Sequence, residues 1–360
     1  MLRTKRQFYK QSLIECFIAI ICLFIFCEYI FYYVVLVQCG YPTLNPYKSD
    51  PSIPPPKPEE SPVKVMFIAD THLLGSRNGD LFDEGLWSSS IEFDSTIQRF
   101  HSLFAVPQNT FLYVVPGNHD MGFHYWITPY LSNRFVRGMK APNVRRISIR
   151  GNHFVLTNSM ALEGDGCFIC RPVEDALNEI AKYLKCAKGV GAHCNKNTTI
   201  KRYSRPILLQ HYPMYRESDA LCAEADQAPD DIKNIKFRER WECLSKEASE
   251  QLLDILNPRL IVDGHTHHGC RKMHRNDTLE ITVSSFSWRN KNNPSFLLGI
   301  FTPDNYAVSK CYMPVETTVK LIYICGIASI VIYLMLKTKS RYFNSFMKFH
   351  YFITLQFIWK

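Results

Sequence analysis

The 360-residue chain contains no internal repeat, which excludes a solenoid or propeller assembled from stacked copies of one unit. It has one C-x-x-C, Cys167 to Cys170, and no second. A four-cysteine zinc module is therefore excluded, and a disulfide is favoured over half a zinc site. A dilysine-type ending is missing, and with it that retrieval address. A secretory signal is a poor match for the first apolar run, residues 13–37. That run exceeds the roughly 7 to 15 residues of such a segment and reaches the about 20 that a membrane span needs. Finally, no apolar run precedes Gly79-Asp80, and only six residues, 73–78, separate that pair from Asp70-x-His72.

What is present is 46% hydrophobic, enough for one sizeable core with spans to spare. Arg3, Lys5, Arg6 and Lys10 precede the first run. A second apolar run, 319–336, is followed by Lys337, Lys339 and Arg341. Basic flanks outside both runs put both chain ends on the cytosolic side and the region between them in a lumen or outside. The expected order is a cytosolic basic N-terminus (1–12), a transmembrane helix (13–37), a Pro-rich linker (38–62), a lumenal domain (63–315), a transmembrane helix (319–336) and a cytosolic tail (337–360). The net charge of +9 resides largely in the flanks and tail, so it argues for a membrane surface and against a nucleic-acid partner. Glu28, inside the first run, stays without an assigned role. Cysteine usage agrees with a lumenal domain. With Cys39 set aside just beyond the first run, Cys167, Cys170, Cys186, Cys194, Cys222, Cys243, Cys270 and Cys311 make an even set, hence up to four disulfides of open pairing. Asn197 and Asn276 head glycosylation sequons.

Four β-like runs end abruptly in Gly, Pro or His accompanied by metal-binding side chains: VKVMFIADTH (63–72), FLYVVPGNHD (111–120), ILLQHYPMY (207–215) and LIVDGHTHHG (260–269). Strands that deliver loops to one end of a sheet have this form. Helical spacing covers 92–104, 174–186 and 244–256. Residues 152–160 form a strand, and 278–288 and 294–303 each alternate like antiparallel strands. The order is α/β: a layered β-sheet sandwich flanked by helices, with two transmembrane helices.

Imidazole, carboxylate and amide donors together suit Mn, Fe or Zn, and an ion pair about 3.5 to 4 Å apart can grip a phosphoryl centre. The ordered set D-x-H, G-D, G-N-H-D, H, G-H-x-H resembles the calcineurin-like metallophosphoesterase superfamily. The longer strings GDLFDEG, GNHDMGFHY, LLQHYPMYR, DGCFIC and SFSWRNKNNPSF are similar to a branch that remodels glycosylphosphatidylinositol (GPI) anchors. The resemblance implies one metal on Asp70, His72 and His267, a second on Asn118, His211 and His265, and Asp80 bridging them. It places His119 at the leaving oxygen, oriented by Asp120. It also implies two divalent ions, manganese by family, and a metal-dependent phosphodiesterase. The implied reaction removes ethanolamine-phosphate from a mannose of the GPI glycan, with GPI-anchored proteins as substrate and the endoplasmic reticulum and Golgi as location. His153 is expected in a turn. His124 and His268 lie beside the motifs without a role. Trp288, Arg289 and Asn290 line a glycan or phosphate pocket or are a packed Trp beside a surface Arg.

In the family, D-x-H and G-D end neighbouring parallel strands joined by a helix, and a parallel crossover needs a dozen or more residues. The chain therefore resembles the family with one helix and one strand removed. Ten residues from Asp70 span up to about 33 Å, so Asp80 can reach the site but lacks a strand to hold it. The rival reading is a catalytically impaired splice form acting as a non-enzymatic membrane or GPI-glycan binding protein. A protein phosphatase on the same fold is disfavoured by the lumenal topology.

Overall fold

The computed structural model describes residues 2–53, 61–72, 85, 87–189, 194 and 203–358. The chain divides into two compact units, one made of residues 1–38 with 314–360 and the other of residues 39–313. In the first, α1 (Leu2–Ile25) passes through a π-turn at Phe26–Ile30 into α2 (Phe31–Leu36). The second unit contains, in order, β1 (Val63–Phe67), α3 (Ser90–Leu103), α4 (Asn118–Met121), α5 (Pro129–Met139), β2 (Val144–Ile149), β3 (Asn152–Thr157), α6 (Cys170–Ala187), β4 (Ile207–Leu209), α7 (Lys246–Leu256), β5 (Leu260–Asp263), β6 (Cys270–His274), β7 (Thr278–Thr282), β8 (Ser295–Phe301) and β9 (Tyr306–Tyr312). Returning to the first unit, α8 (Glu316–Ile358) closes the chain.

Tyr9–Leu36 and Glu316–Ser340 are long and apolar enough to cross a membrane. Leu13, Phe17, Ile324 and Leu336 are exposed on them, as lipid-facing side chains would be. Each acid on the first helix has a partner on the second. Tyr323 donates to Glu28 at 2.7 Å, and Lys337 pairs with Glu15. An acid at membrane depth needs such a partner.

The second unit is a sandwich. A six-stranded sheet runs β2-β3-β4-β5-β7-β6, parallel from β3 through β7 and antiparallel at both edges. Facing it is an antiparallel sheet, β1-β8-β9. Strands buried on both faces read as continuous apolar runs, and Leu260, Ile261 and Val262 of β5 do so. Between the sheets, Val63, Phe67, Leu297 and Phe301 pack on Phe154, Leu156, Ile207, Val262 and Ile281. The other face of the larger sheet is covered by helices. Val173, Leu177, Ala181 and Leu184 of α6 are buried at helical spacing, as are Leu131, Phe135 and Met139 of α5, and Val173 and Leu177 enter one core with the α5 stripe. Local signals set the helix ends. Ser89 and Glu92 form a capping box on α3, while Ser245 caps α7 and Asn257 ends it in the left-handed conformation.

Several expectations change. The run FLYVV at 111–115 forms no strand. Phe111, Leu112 and Tyr113 are exposed, and only Val114 and Val115 pack inward. A strand exists through its neighbour's hydrogen bonds, and among the described residues β1 pairs with β8 alone, leaving no strand beside it for 111–115 to join. The linker does not extend free to residue 62. The folded unit begins at Cys39, with Ile53 buried and Asp50 N–H donating to the Asp304 carbonyl at 2.7 Å. Residues 278–288 and 294–303 do supply antiparallel strands, β7 against β6 and β8 between β1 and β9, but in different sheets. β7 belongs to the larger sheet and β8 to the smaller, and the chain crosses between them where Val283 bonds Asp263 and Phe286 bonds Ala69. His153 is not in a turn but is the second residue of β3, buried, its Nδ1 2.8 Å from Ser148 Oγ.

Candidate metal centre

Four strand-end loops meet at one place. The segment after β1 carries Asp70 and His72, the turn of α4 carries Asn118, the end of β4 carries His211, and the end of β5 carries His265 and His267. Asn118 Oδ1 lies 2.9 Å from His211 Nε2, which lies 3.1 Å from His265 Nδ1. These three side chains meet through His211. Beside them, His72 Nε2 and His267 Nε2 are 3.2 Å apart, and with Asp70 they offer ligand atoms all within 4.8 Å of one another. Asp70 Oδ1 stands 3.9 Å from His211 Nδ1, so this carboxylate adjoins both sets. The two trios are those the sequence assigned to two ions. Asp80 lies outside the described residues.

The tautomer of His265 follows from its neighbours. Its Nε2 lies 2.6 Å from the Trp241 carbonyl, which can only accept, so the proton sits there and the Nδ1 lone pair faces His211. Asp70, His72, His265 and His267 all adopt left-handed backbone, φ 49°, 46°, 71° and 62°. Non-glycine residues in this conformation cost energy and concentrate at functional sites. What holds them is a web of short contacts. His265 N–H donates to Asp70 Oδ2 at 3.0 Å, Ser285 Oγ donates to the Asp70 carbonyl at 2.8 Å, and Gly264 N–H donates to the His211 carbonyl at 3.0 Å. Gly264 is glycine because a Cβ there would meet Asp70 Oδ2 and Ala69 Cβ at 2.8 Å. The His211 loop is fixed from below, as Met214 N–H donates to buried Glu280 at 2.6 Å and Tyr212 N–H to Ser159 Oγ at 2.9 Å.

His119 is half-buried next to Asn118. Asp120 accepts the Gly117 N–H at 2.8 Å, closing the turn that presents both Asn118 and His119. An aromatic rim adjoins His119: its ring centroid is 6.3 Å from Phe123, which is 4.8 Å from Trp241 and 5.9 Å from Trp126. Behind Trp241, Arg240 pairs with Glu163 at 3.0 Å. Burial raises the Glu163 pKa, and Arg240 offsets part of that rise.

The neighbouring candidates separate. His268 receives a hydrogen bond from Lys291 at 2.9 Å, and burial together with that cation pushes its pKa down to about 4. His124 bridges the Met160 carbonyl (2.9 Å) and Asp165 (2.8 Å), while Cys167 and Cys170 beside it are joined as a disulfide. Trp288 is half-buried and Arg289 exposed. Sequence reasoning missed Trp241, Ser285, Glu280 and Gly264. The first acts through its backbone carbonyl and leaves no side-chain signal. The other three act across the fold on residues distant in sequence.

Residues 77–269 match the Calcineurin-like phosphoesterase family, a span that starts after Asp70 and His72. Metallophosphoesterase 1 of Ailuropoda melanoleuca is 40% identical over 366 residues, covering 92% of this chain and 90% of that protein. Metallophosphoesterase 1 of Rattus norvegicus is 39% identical over 374 residues, covering 94% and 92%. The 366 aligned positions exceed the 360 residues of the chain although 92% of it takes part, so that relative carries residues absent here. A dimetal phosphatase from Danio rerio aligns structurally with 71% of this chain and 98% of its own, at 12% identity and a TM-score of 0.38.

Proposed function

The chain belongs to the calcineurin-like phosphoesterase family and is a metal-dependent phosphoesterase; from that premise we propose that it hydrolyses the phosphodiester joining ethanolamine-phosphate to a mannose of the GPI glycan. The observation that carries the reading is the pair of donor trios, Asn118/His211/His265 and Asp70/His72/His267, brought to hydrogen-bonding separations. Divalent ions fit them. The donors are neutral imidazole nitrogens, an amide oxygen and a carboxylate, and the Trp241 carbonyl fixes the His265 proton away from the cluster. In this proposal the first trio would hold one ion and the second another, with Asp80 as the further carboxylate ligand the resemblance implies, and the ions would be manganese. When bound, they supply Lewis-acid charge against the negative charge that grows on the phosphoryl oxygens.

The chain's own residues do the rest. Asp70, adjoining both trios, sets the spacing between the two sites. His119 gives a proton to the departing sugar oxygen, and the Asp120 turn fixes its approach. Phe123, Trp126 and Trp241 offer aromatic faces on which a sugar ring can lie beside His119. Two helices able to span a membrane suit a substrate anchored in one. A domain in the lumen of the endoplasmic reticulum or Golgi accords with its disulfides and with Asn276, an exposed sequon residue.

The test is release of ethanolamine-phosphate from a GPI glycan by the full chain in detergent with manganese, beside His265→Ala. Metal-dependent release that drops more than about 100-fold in the variant supports the reading. Cleavage of a simple aryl phosphodiester without release from the glycan leaves the phosphoesterase in place and overturns the substrate. Glycan binding with no turnover of either favours the non-enzymatic binder.

A further inference from the structure

Six cysteines of the folded unit are joined in this structure, as Cys167–Cys170, Cys186–Cys194 and Cys222–Cys270. An even set of eight leaves Cys243 and Cys311 for a fourth bond, with Cys39 set aside. The fold redistributes them. Cys243 Sγ points at the carbonyl of Arg216, 3.8 Å away. Cys311, on β9, has its thiol within hydrogen-bonding reach of the Cys39 thiol and of the Gly40 backbone. Both are free thiols here, Cys311 buried and Cys39 half-buried.

The approach of Cys39 to β9 is built by more than the sulfurs. Ser309, two residues before Cys311, donates through Oγ to the Gly40 carbonyl at 2.9 Å. Farther along, Asn305 Nδ2 donates to the Asn45 carbonyl at 2.7 Å and to Ser49 Oγ at 3.2 Å, and Asp50 N–H reaches the Asp304 carbonyl at 2.7 Å. The 39–53 segment is thus laid along β9 and the turn before it, with its first residue opposite Cys311.

We propose that Cys39 and Cys311 form a fourth disulfide, joining the first residue of the folded unit to its last strand. The oxidant is a small or protein disulfide. The thiolate of Cys39, the more accessible sulfur, attacks it, forming a mixed disulfide and releasing one thiolate. The Cys311 sulfur, having lost its proton to solvent, then attacks the Cys39 sulfur and releases the second. Two protein thiols are oxidised by two electrons, and one external disulfide becomes two thiols. Burial, with the neighbouring Cys39 thiol, pushes the Cys311 pKa up to about 12, which makes Cys39 the entry point. Where the three formed bonds close separations of 3, 8 and 48 residues, this one closes nearly the whole unit.

The experiment equilibrates the full chain in detergent with glutathione disulfide and glutathione at stepped ratios, quenches with acid, alkylates, and maps peptides without reduction. The expected result is a Cys39–Cys311 linked peptide over the same ratios that close Cys222–Cys270. Recovery of both as alkylated thiols where Cys222–Cys270 is closed overturns the proposal, as does a Cys243–Cys311 link. A second readout covers folding effects. Cys39→Ser, Cys311→Ser and the double variant should each lower the unfolding midpoint by the same few degrees, and only without reductant. Losses that add in the double variant, or that persist in reductant, overturn it equally.

Discussion

His265 illustrates how one residue can be fixed at three atoms. Its backbone N–H donates to Asp70, its Nε2 donates to the Trp241 carbonyl, and its Nδ1 remains for the cluster with His211. The space that permits this is the missing Cβ of Gly264. Gly264→Ala places a methyl 2.8 Å from Asp70 Oδ2. It should destabilise the fold by about 1–3 kcal/mol and lower manganese stoichiometry, read by denaturation and elemental analysis. Glu163 gives a pH prediction. Its folded pKa lies above the usual 4.5 because burial disfavours the carboxylate. Folding therefore retains a proton that the unfolded chain releases first. The associated stability is complete below the usual value and is lost as pH rises through the raised one. Glu163→Gln removes this dependence, so wild-type stability relative to the variant should decline with rising pH in paired unfolding titrations.

At the scale of elements, 111–115 carries the cost of the crowded first loop. Its residues have strand composition, yet a strand is a relation between two segments, and among the described residues none offers it a ladder. By contrast β4, only three residues long, sits between β3 and β5 with Ile207 and Leu208 wholly buried. Amide exchange should divide the two. Amides of β4 should exchange only by global opening, and those of 111–113 near the rate of a free peptide. Inserting the corresponding helix and strand from a longer relative between His72 and Gly79 should protect 111–115. Strong protection of 111–113 in the present chain would contradict this account.

Across the whole molecule, the metal site ties both sheets together: Asp70 follows β1 of the smaller, while His211 and His265 follow β4 and β5 of the larger. Ions bound there stabilise the sandwich as a unit. At free manganese 100-fold above its dissociation constant the linkage adds about 2.7 kcal/mol. At about 2–4 °C per kcal/mol for a domain somewhat smaller than this one, the melting temperature should rise by about 5–10 °C over the chelated protein. The His265→Ala variant should show a smaller rise.

Sequence alone determined the α/β class, the two apolar helices and the α3, α6 and α7 helices, and its motifs pointed to the six side chains that the fold gathers as two trios. Each of these is local: a hydrophobic period, a cap, or a strand run broken by His, Asp or Asn. Tertiary structure decided what depends on distant partners. It denied 111–115 a ladder, divided 278–288 and 294–303 between two sheets, placed His153 in a strand, and drew residues 39–53 onto β9. It also set Cys39 opposite Cys311 and aimed the Trp241 carbonyl at His265. A backbone carbonyl has no residue code, and two cysteines far apart in sequence declare no partner until a strand and the segment laid against it bring their sulfurs together.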